Sequence, residues 1–341
     1  MSTTATIEPA GACQAFRPTF SELLASEDRE LLREPLRRWM VKRDQRASAA
    51  FVYEGWLRAG GEPAFVCDSI REWLQGNAEA QDARAVYTAW LAAGGEPALL
   101  QGPIGRWVAV HGDEPAARFV YVTWLMAARD VRPFDEPISA WLAAHVDEPD
   151  AHYVFVEWLR SGGSLETVTG SLSSWLDRHA LIEEACWPCV AWLQHGGEPG
   201  HVALALERWL GVWAADPGAS HVYEEWLSHS GEPALVAGPI ERWLEAHGEA
   251  FVASFVLAPW LRFGGDPEVV RDHLRRWLER YADSAAAGFV LQAWLRSGGE
   301  PMLVKDAYAS WMAVHQGSGV AWHVQQAWRS ANGASIMRVA A

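Results

Sequence analysis

The sequence predicts an all-α solenoid, a superhelical array of about nine helix pairs of 34 residues each. Three observations predict it. Tryptophan recurs every 17 residues, apolar residues precede each tryptophan at helical spacings, and glycine and proline pairs mark where one helix ends and the next begins. Helices this short are not stable alone in water, so the pattern predicts that each helix buries its apolar face against its neighbours.

Tryptophan makes up 21 of the 341 residues, and its spacing indicates an internal repeat. Eighteen of the tryptophans follow one another at this step without an insertion or deletion, at positions 39, 56, 73, 90, 107, 124, 141, 158, 175, 192, 209, 226, 243, 260, 277, 294, 311 and 328. Leucine usually comes next. The indoles either form the core of the array or line a binding groove. Because they occur in every unit, on the face of the other apolar residues, we favour the core.

The 17-residue units alternate between two kinds, called A and B here, so the full repeat has 34 residues. In A units a valine usually lies four residues before the tryptophan, at positions 52, 86, 120, 154, 222, 256, 290 and 324. In B units an isoleucine or leucine lies three residues before it, at positions 36, 70, 104, 138, 172, 206, 240 and 274. Spacings of three and four place these residues on one helical face, whereas a strand would need alternation.

The ends of the helices are also visible in the sequence. Gly-Gly follows most A units, at positions 60–61, 94–95, 162–163, 196–197, 264–265 and 298–299. Glycine adopts the left-handed backbone conformation that often ends a helix. An acidic residue and a proline then open the B helix, as in Glu62-Pro63 and Asp266-Pro267. Proline suits the first helical position, and the acidic side chain complements the positive end of the helix dipole.

Composition narrows the classes of function. The net charge of −15, from 43 acidic and 28 basic residues, argues against general attraction to nucleic acid or to anionic membranes. We find neither a signal peptide nor a membrane-spanning run, and we expect a cytoplasmic protein. Residues 1–18 are expected to be a disordered segment, 19–331 a single solenoid with degenerate capping helices, and 332–341 a tail.

The repeat length and the helix-turn-helix unit resemble the α-solenoid superfamilies, such as tetratricopeptide and HEAT-like arrays. The resemblance covers nearly the whole chain, but only at the level of architecture. The tetratricopeptide pattern has one tryptophan in 34 residues, whereas here both helices of the pair carry Trp-Leu near their ends. The resemblance implies a binding scaffold, because such arrays bind proteins, peptides or nucleic acids along a continuous surface.

We expect a protein or peptide partner on the A helices, at the positions two before and two after the tryptophan. These columns vary along the array and lie opposite the core. The predicted partner-binding residues are an apolar cluster with arginines around it: Val122, Met126, Val156, Arg160, Val190, Arg58, Arg262 and Arg296. The alternative is that these residues contact neighbouring helices. Aromatic residues five before the tryptophan, such as Phe51 and Phe255, are expected to be wedged between helices.

A nucleic-acid-binding protein is the alternative function. Arginine recurs just before the tryptophan of B helices, at Arg38, Arg106, Arg208, Arg242 and Arg276, and some repeat proteins read RNA with one helix pair per base. Acidic residues such as Glu207 and Glu241 lie close to these arginines. A solvated face of mixed charge is therefore the competing interpretation.

Two further patterns contain residue types that can carry chemistry. Histidine recurs four residues after the B-helix tryptophan, at 111, 145, 179, 247 and 315, which indicates either a metal or pH-sensing ladder or helix C-terminal capping. Cys186-Trp187-Pro188-Cys189 resembles a redox motif but lacks the strand that such motifs follow, so two buried cysteines are favoured. We find no catalytic constellation or phosphate loop, and we expect no enzyme activity, cofactor, metal or small-molecule ligand.

Overall fold

The computed structural model describes residues 33, 36–39, 49–229 and 232–339, with side chains described up to residue 332. Within these ranges every regular element is a helix, and no strand occurs. The predicted all-α solenoid is thereby confirmed, since helices that follow one another in the repeat pack side by side. The predicted disordered segment, residues 1–18, lies outside the described residues.

The helices are numbered so that odd numbers are A helices and even numbers are B helices. The A helices are α1 (Ala49–Arg58), α3 (Ala83–Ala92), α5 (Arg118–Ala128), α7 (Ala151–Arg160), α9 (Cys186–Gln194), α11 (Ala219–Ser228), α13 (Ser254–Arg262), α15 (Ala285–Arg296) and α17 (Ala321–Val339). The B helices are α2 (Pro63–Asn77), α4 (Gln101–His111), α6 (Asp135–Ala144), α8 (Leu165–His179), α10 (Ala203–Trp213), α12 (Pro233–His247), α14 (Pro267–Tyr281) and α16 (Lys305–His315). Short 3₁₀ turns precede several of them.

The chain divides into two compact units, Met1–Val168 and Thr169–Ala341. In each unit the A helices stack on one another more extensively than the B helices do, so they form the more tightly packed layer. The last helix runs to Val339, through most of the segment expected to be a tail.

The tryptophan column forms the core, as expected. All its members from Trp56 to Trp311 are buried, and those at the two ends, Trp39 and Trp328, are half-buried. The valines four before the A-helix tryptophan, except the half-buried Val52, and the isoleucines or leucines three before the B-helix tryptophan are buried beside them. The 17-residue period therefore corresponds to one buried indole in each helix from α1 to α16.

Each kind of tryptophan uses its indole N–H in its own way. In every A helix from α1 to α15, the Nε1 atom of the tryptophan donates to the carbonyl six residues later, before the B helix begins. The Trp260–Asp266 bond is 2.8 Å. Most B-helix tryptophans donate back to a carbonyl just before the preceding A helix, as Trp243 does to Asp216 at 2.9 Å. Trp107 is an exception, because its buried Nε1 has no hydrogen-bond partner in the described part of the chain.

The two glycines of each Gly-Gly pair have different roles. The first takes a positive φ, between 76° and 92° in six repeats, and ends the A helix as predicted. The second is covered by the indole of the same helix, so a Cβ there would overlap ring atoms. Arg129 takes the left-handed conformation where Ala128-Arg129 replaces the glycine pair, and the helix there is extended to Ala128.

Candidate functional site

Two of the four residues of the predicted apolar cluster are buried inside the A layer. Val156 on α7 is only 6% exposed and Val190 on α9 only 4%, while Val122 is half-buried and Met126 is exposed. The A helices approach one another so closely that their flanks, as well as the tryptophan face, are covered. Contact with neighbouring helices, the alternative left open by the sequence, therefore accounts for Val156 and Val190.

The four arginines of the predicted site are all exposed, but they fall into two groups. Arg58 pairs with Glu54 on the same helix at 3.0 Å, and Arg160 pairs with Glu157 at 3.1 Å. Arg262 and Arg296, both in the second unit, have no carboxylate within ion-pair distance among the described residues. Only this second pair has its charge available for a partner.

The aromatic residues five before the A-helix tryptophan are exposed, so the expectation that they are wedged between helices is wrong. We call these residues the aromatic column. In the first unit the column consists of Phe51, Phe119 and Tyr153, with alanine in the remaining repeat. In the second unit every A helix contributes a ring, from Trp187, His221, Phe255, Phe289 and His323.

Helical geometry explains why this column faces outward. Positions five before, two before and two after the tryptophan lie within about 60° of one another, on the side of the helix away from the indole. The valine four before the tryptophan is one residue further along and points inward. Helix stacking covers parts of this side, but it leaves Phe255 53% and Phe289 56% exposed. Exposed rings at one position in successive helices are an unusual surface for a soluble domain.

In the second unit this side of the helices forms a groove of about 1080 Å³ across α11, α13, α15 and α17. Two rows of side chains run across it. Phe255 and Phe289 belong to the aromatic column, and Arg262 and Arg296 follow them seven residues later on the same helices. Between the rows lie Ala258 and Gln292. The ends of the groove carry Glu224 on α11 and His323 on α17.

The B-helix arginine column is exposed wherever the structure describes it, yet several of its members hold the repeats together. Arg106 donates to the carbonyl of Leu74 at 3.4 Å, and Arg242 donates to that of Leu210 at 3.0 Å, each one repeat back. Arg208 lies 4.0 Å from a carboxylate oxygen of Asp177. These contacts favour a structural role over a surface kept free for phosphates.

The histidine column mostly links repeats rather than capping its own helices. Nε2 of His247 contacts the carbonyl of Ala215 at 2.8 Å, and His111 and His315 make the same contact across 32 residues. Trp213 and Tyr281 occupy the same position in other repeats and donate to the equivalent carbonyls. His145 alone follows the capping expectation among the bonds described, through Nδ1 and the Trp141 carbonyl.

The Cys-x-x-Cys segment lies at the start of α9, and both sulfurs are buried and free. Burial raises the pKa of the Cys186 thiol to about 12, and burial also raises that of Cys189. Thiolates are the reactive form, so this environment suits packing rather than redox chemistry. Cys189 replaces the tyrosine that other A helices place three residues before the tryptophan.

Among the described residues, no group of three histidine, cysteine or acidic side chains could hold a metal ion, and no helix is long and apolar enough to cross a membrane. No protein-family model and no curated protein sequence matches the chain. The geometry of the A-helix face is therefore the basis for a functional assignment. Sequence reasoning placed Arg262 and Arg296 at this face but missed Phe255 and Phe289, although their 34-residue step was visible.

Proposed function

We propose that this protein is a non-enzymatic binding scaffold that holds a protein or peptide partner along its A helices. One observation carries the proposal: exposed rings recur at one position of successive A helices and, in the second unit, line a groove with two arginines. Aromatic residues and arginine are the side chains most enriched at binding hot spots. The architecture also resembles α-solenoid arrays of the tetratricopeptide and HEAT-like kind, which serve as scaffolds.

Substitutions of the groove test this function. The tagged protein is used to capture partners from its source cells at moderate salt, and half of each sample is treated with nuclease. The wild type is compared with Phe255→Ala/Phe289→Ala and with a control, Leu204→Ala/Val212→Ala, which removes two exposed apolar side chains from α10. We expect the wild type and the control to retain the same protein, and the phenylalanine variant to lose it.

Retention of every partner by the phenylalanine variant would count against the proposal. Loss of the captured protein after nuclease treatment would instead support nucleic-acid binding, and the B-helix arginines would then be the residues to change. The valines of the sequence-predicted cluster are poor targets for such tests. A charge at Val156 or Val190 would disturb the packing of the A helices, so loss of binding there would be ambiguous.

A further inference from the structure

We infer that the groove of the second unit binds an extended acidic segment in the polyproline II conformation, in which an apolar and an acidic residue recur every three positions. This inference rests on the proposed scaffold function and specifies the chemistry of the partner. It follows from the spacing of the two rows of side chains, from the distance between the rows, and from the charge that the groove leaves unpaired.

The spacing between successive rings favours a three-residue repeat. Packed helices lie about 8–10 Å apart, so Phe255 and Phe289 on neighbouring A helices are expected at this interval, and so are Arg262 and Arg296. A polyproline II helix advances about 9.3 Å in three residues, which matches one step of the array. Side chains on one face of a β-strand recur at about 6.6–6.8 Å, which does not match.

The distance between the rows also suits a polyproline II segment. Phe255 and Arg262 lie seven residues apart on one helix, about 10 Å along its axis, with the small side chain of Ala258 between them. A backbone that crosses the helices above this middle position has three faces. One faces the rings, the second faces the guanidinium groups, and the third faces solvent. Aromatic-lined grooves bind proline-rich segments in this way.

Charge determines which residues the partner carries. The Arg262 guanidinium lies 5.1 Å from the ring of Phe263, a contact that leaves its charge unneutralised. When the Gln292 side-chain amide is oriented with its oxygen toward Arg296, both terminal nitrogens of Arg296 donate to that oxygen at 3.0 Å. The amide carries no charge, so this contact also leaves the charge of the arginine unneutralised. Glu224, Glu225 and Asp266 also line the groove, but no carboxylate of the described residues pairs with either arginine. Asp266 accepts from the backbone N–H of Glu268, and Glu225 accepts from Gln194. Acidic side chains at a three-residue spacing would supply the missing partners.

A labelled synthetic peptide of repeating Leu-Asp-Pro triplets tests the inference on the full-length protein by fluorescence anisotropy. Two control peptides test separately whether binding requires the acidic charge and whether it requires the three-residue period. Leu-Asn-Pro triplets remove the charge, and a peptide of the same composition with its aspartates four residues apart removes the period. The protein variants are Arg262→Gln/Arg296→Gln, Phe255→Ala/Phe289→Ala and a control, Arg275→Gln, which changes an exposed B-helix arginine of the same unit.

We expect the triplet peptide to bind the wild type and Arg275→Gln alike, and added salt to weaken the binding. The double arginine variant should bind roughly tenfold more weakly, as two partly exposed ion pairs would predict. Both control peptides should bind the wild type more weakly than the triplets do.

Equal binding of the period-three and period-four peptides would overturn the inference, and so would equal binding by the double arginine variant. If that variant still captures the cellular partner while the phenylalanine variant loses it, the scaffold function stands and only the acidic chemistry of the partner is wrong. Displacement of the triplet peptide by oligouridylate at moderate salt would also overturn the inference, in favour of a nucleic-acid strand stacked on the rings.

Discussion

The indole of Trp260 lies directly over the α-carbon of Gly265, so closely that a Cβ on this glycine would fall inside 3.0 Å of the ring atoms. The same ring donates its N–H to the carbonyl of Asp266, the next residue. Gly264, by contrast, has open space around its Cβ position but a φ of 92°. Glycine is therefore required at the two positions for different reasons: at 265 because the indole leaves no room for a Cβ, and at 264 because the backbone has a positive φ.

This difference predicts two different mutational profiles. Gly265→Ala should destabilise the protein by about 1–3 kcal/mol, because the indole has to move and its hydrogen bond to Asp266 is strained. Gly264→Ala should cost about 1 kcal/mol through its backbone conformation. Asparagine tolerates the left-handed region, so Gly264→Asn should recover part of that loss while Gly265→Asn recovers nothing.

Urea unfolding followed by circular dichroism measures these effects. The first glycine of the pair is the internal control, because both positions are in the same turn but only Gly265 lies under the indole and only Gly264 has a positive φ. If the urea concentration at the midpoint of unfolding is the same for Gly265→Ala and the wild type, the indole moves aside without loss of stability. Equal behaviour of the two asparagine variants would show that the two glycines share one role.

The sequence was sufficient to predict the core but not the outer face. Trp260 and Val256 could be placed inside because their spacing matches one helical face in every repeat. Phe255 is next to Val256, and an apolar residue at its position looks equally suited to burial in a helix packed on two sides. Its exposure depends on how closely the A helices approach one another, which a period along the chain does not encode.

The link made by His247 could not be predicted for a similar reason. Its Nε2 reaches the Ala215 carbonyl, 32 residues earlier, so the contact depends on the stacking of two repeats. The sequence did hold one signal. Trp213 and Tyr281, which also carry ring donors, replace histidine at that position in other repeats. Three different ring side chains make the same contact, so the contact needs a hydrogen-bond donor rather than a titrating group or a metal ligand. Where Asn77 occupies the position, it donates instead to the carbonyl of Trp73 in its own helix.

Substitution of His247 tests this interpretation. His247→Phe keeps a ring beside Trp243 but leaves the Ala215 carbonyl without its donor, and it should cost about 0.5–1.5 kcal/mol. His247→Tyr should cost less, since the hydroxyl of Tyr281 makes the equivalent contact in the next repeat at 3.3 Å. Thermal unfolding of the two variants decides the matter. Equal losses for tyrosine and phenylalanine would mean that the ring matters and the donor does not.

His111 should make stability depend on pH. Its Nδ1 lies 2.7 Å from a carboxylate oxygen of Glu114, and this hydrogen bond raises the pKa of the histidine above its ordinary value of 6.5. Nε2 contacts the Glu79 carbonyl, so the charged ring can donate from both nitrogens. A raised folded-state pKa contributes stability that is fully present below the ordinary pKa and is lost as pH rises through the folded-state value.

Glu114→Gln should therefore lower the pKa of His111, as measured by NMR titration of the imidazole. The difference in melting temperature between wild type and Glu114→Gln should be larger near pH 6 than near pH 8. In a His111→Gln background the Glu114→Gln substitution should lose this pH dependence. A difference that stays constant across the range would assign the effect of Glu114 to something other than His111.

The buried cysteines of α9 should be chemically inert in the folded protein. Burial raises the pKa values of both thiols, so neither Cys186 nor Cys189 forms appreciable thiolate at neutral pH. Cys67 is only partly buried and should react first with a thiol reagent such as dithionitrobenzoate. The measurement is the labelling rate in a Cys13→Ser background, with and without urea. If Cys186 or Cys189 reacts as fast as Cys67 in native buffer, the thiols of α9 are accessible and reactive, and the redox interpretation would be favoured over packing.

Trp107 provides the sharpest test of how the indole hydrogen bonds contribute to stability. Its Nε1 is buried and has no hydrogen-bond partner among the described residues, whereas that of Trp141, the next B-helix tryptophan in the same unit, donates to the Glu114 carbonyl at 2.9 Å. Replacing either residue with phenylalanine removes a similar volume from the core. At Trp141 the substitution removes one of the two donors to the Glu114 carbonyl, which still accepts from the backbone N–H of Ala117 at 2.9 Å. At Trp107 it removes a buried donor that makes no hydrogen bond to the described residues, so the penalty for burying that group disappears. Trp107→Phe should therefore be less destabilising than Trp141→Phe by about 1–3 kcal/mol in urea unfolding. Equal losses would mean that the indole N–H groups contribute little and that ring volume alone fixes tryptophan at these positions.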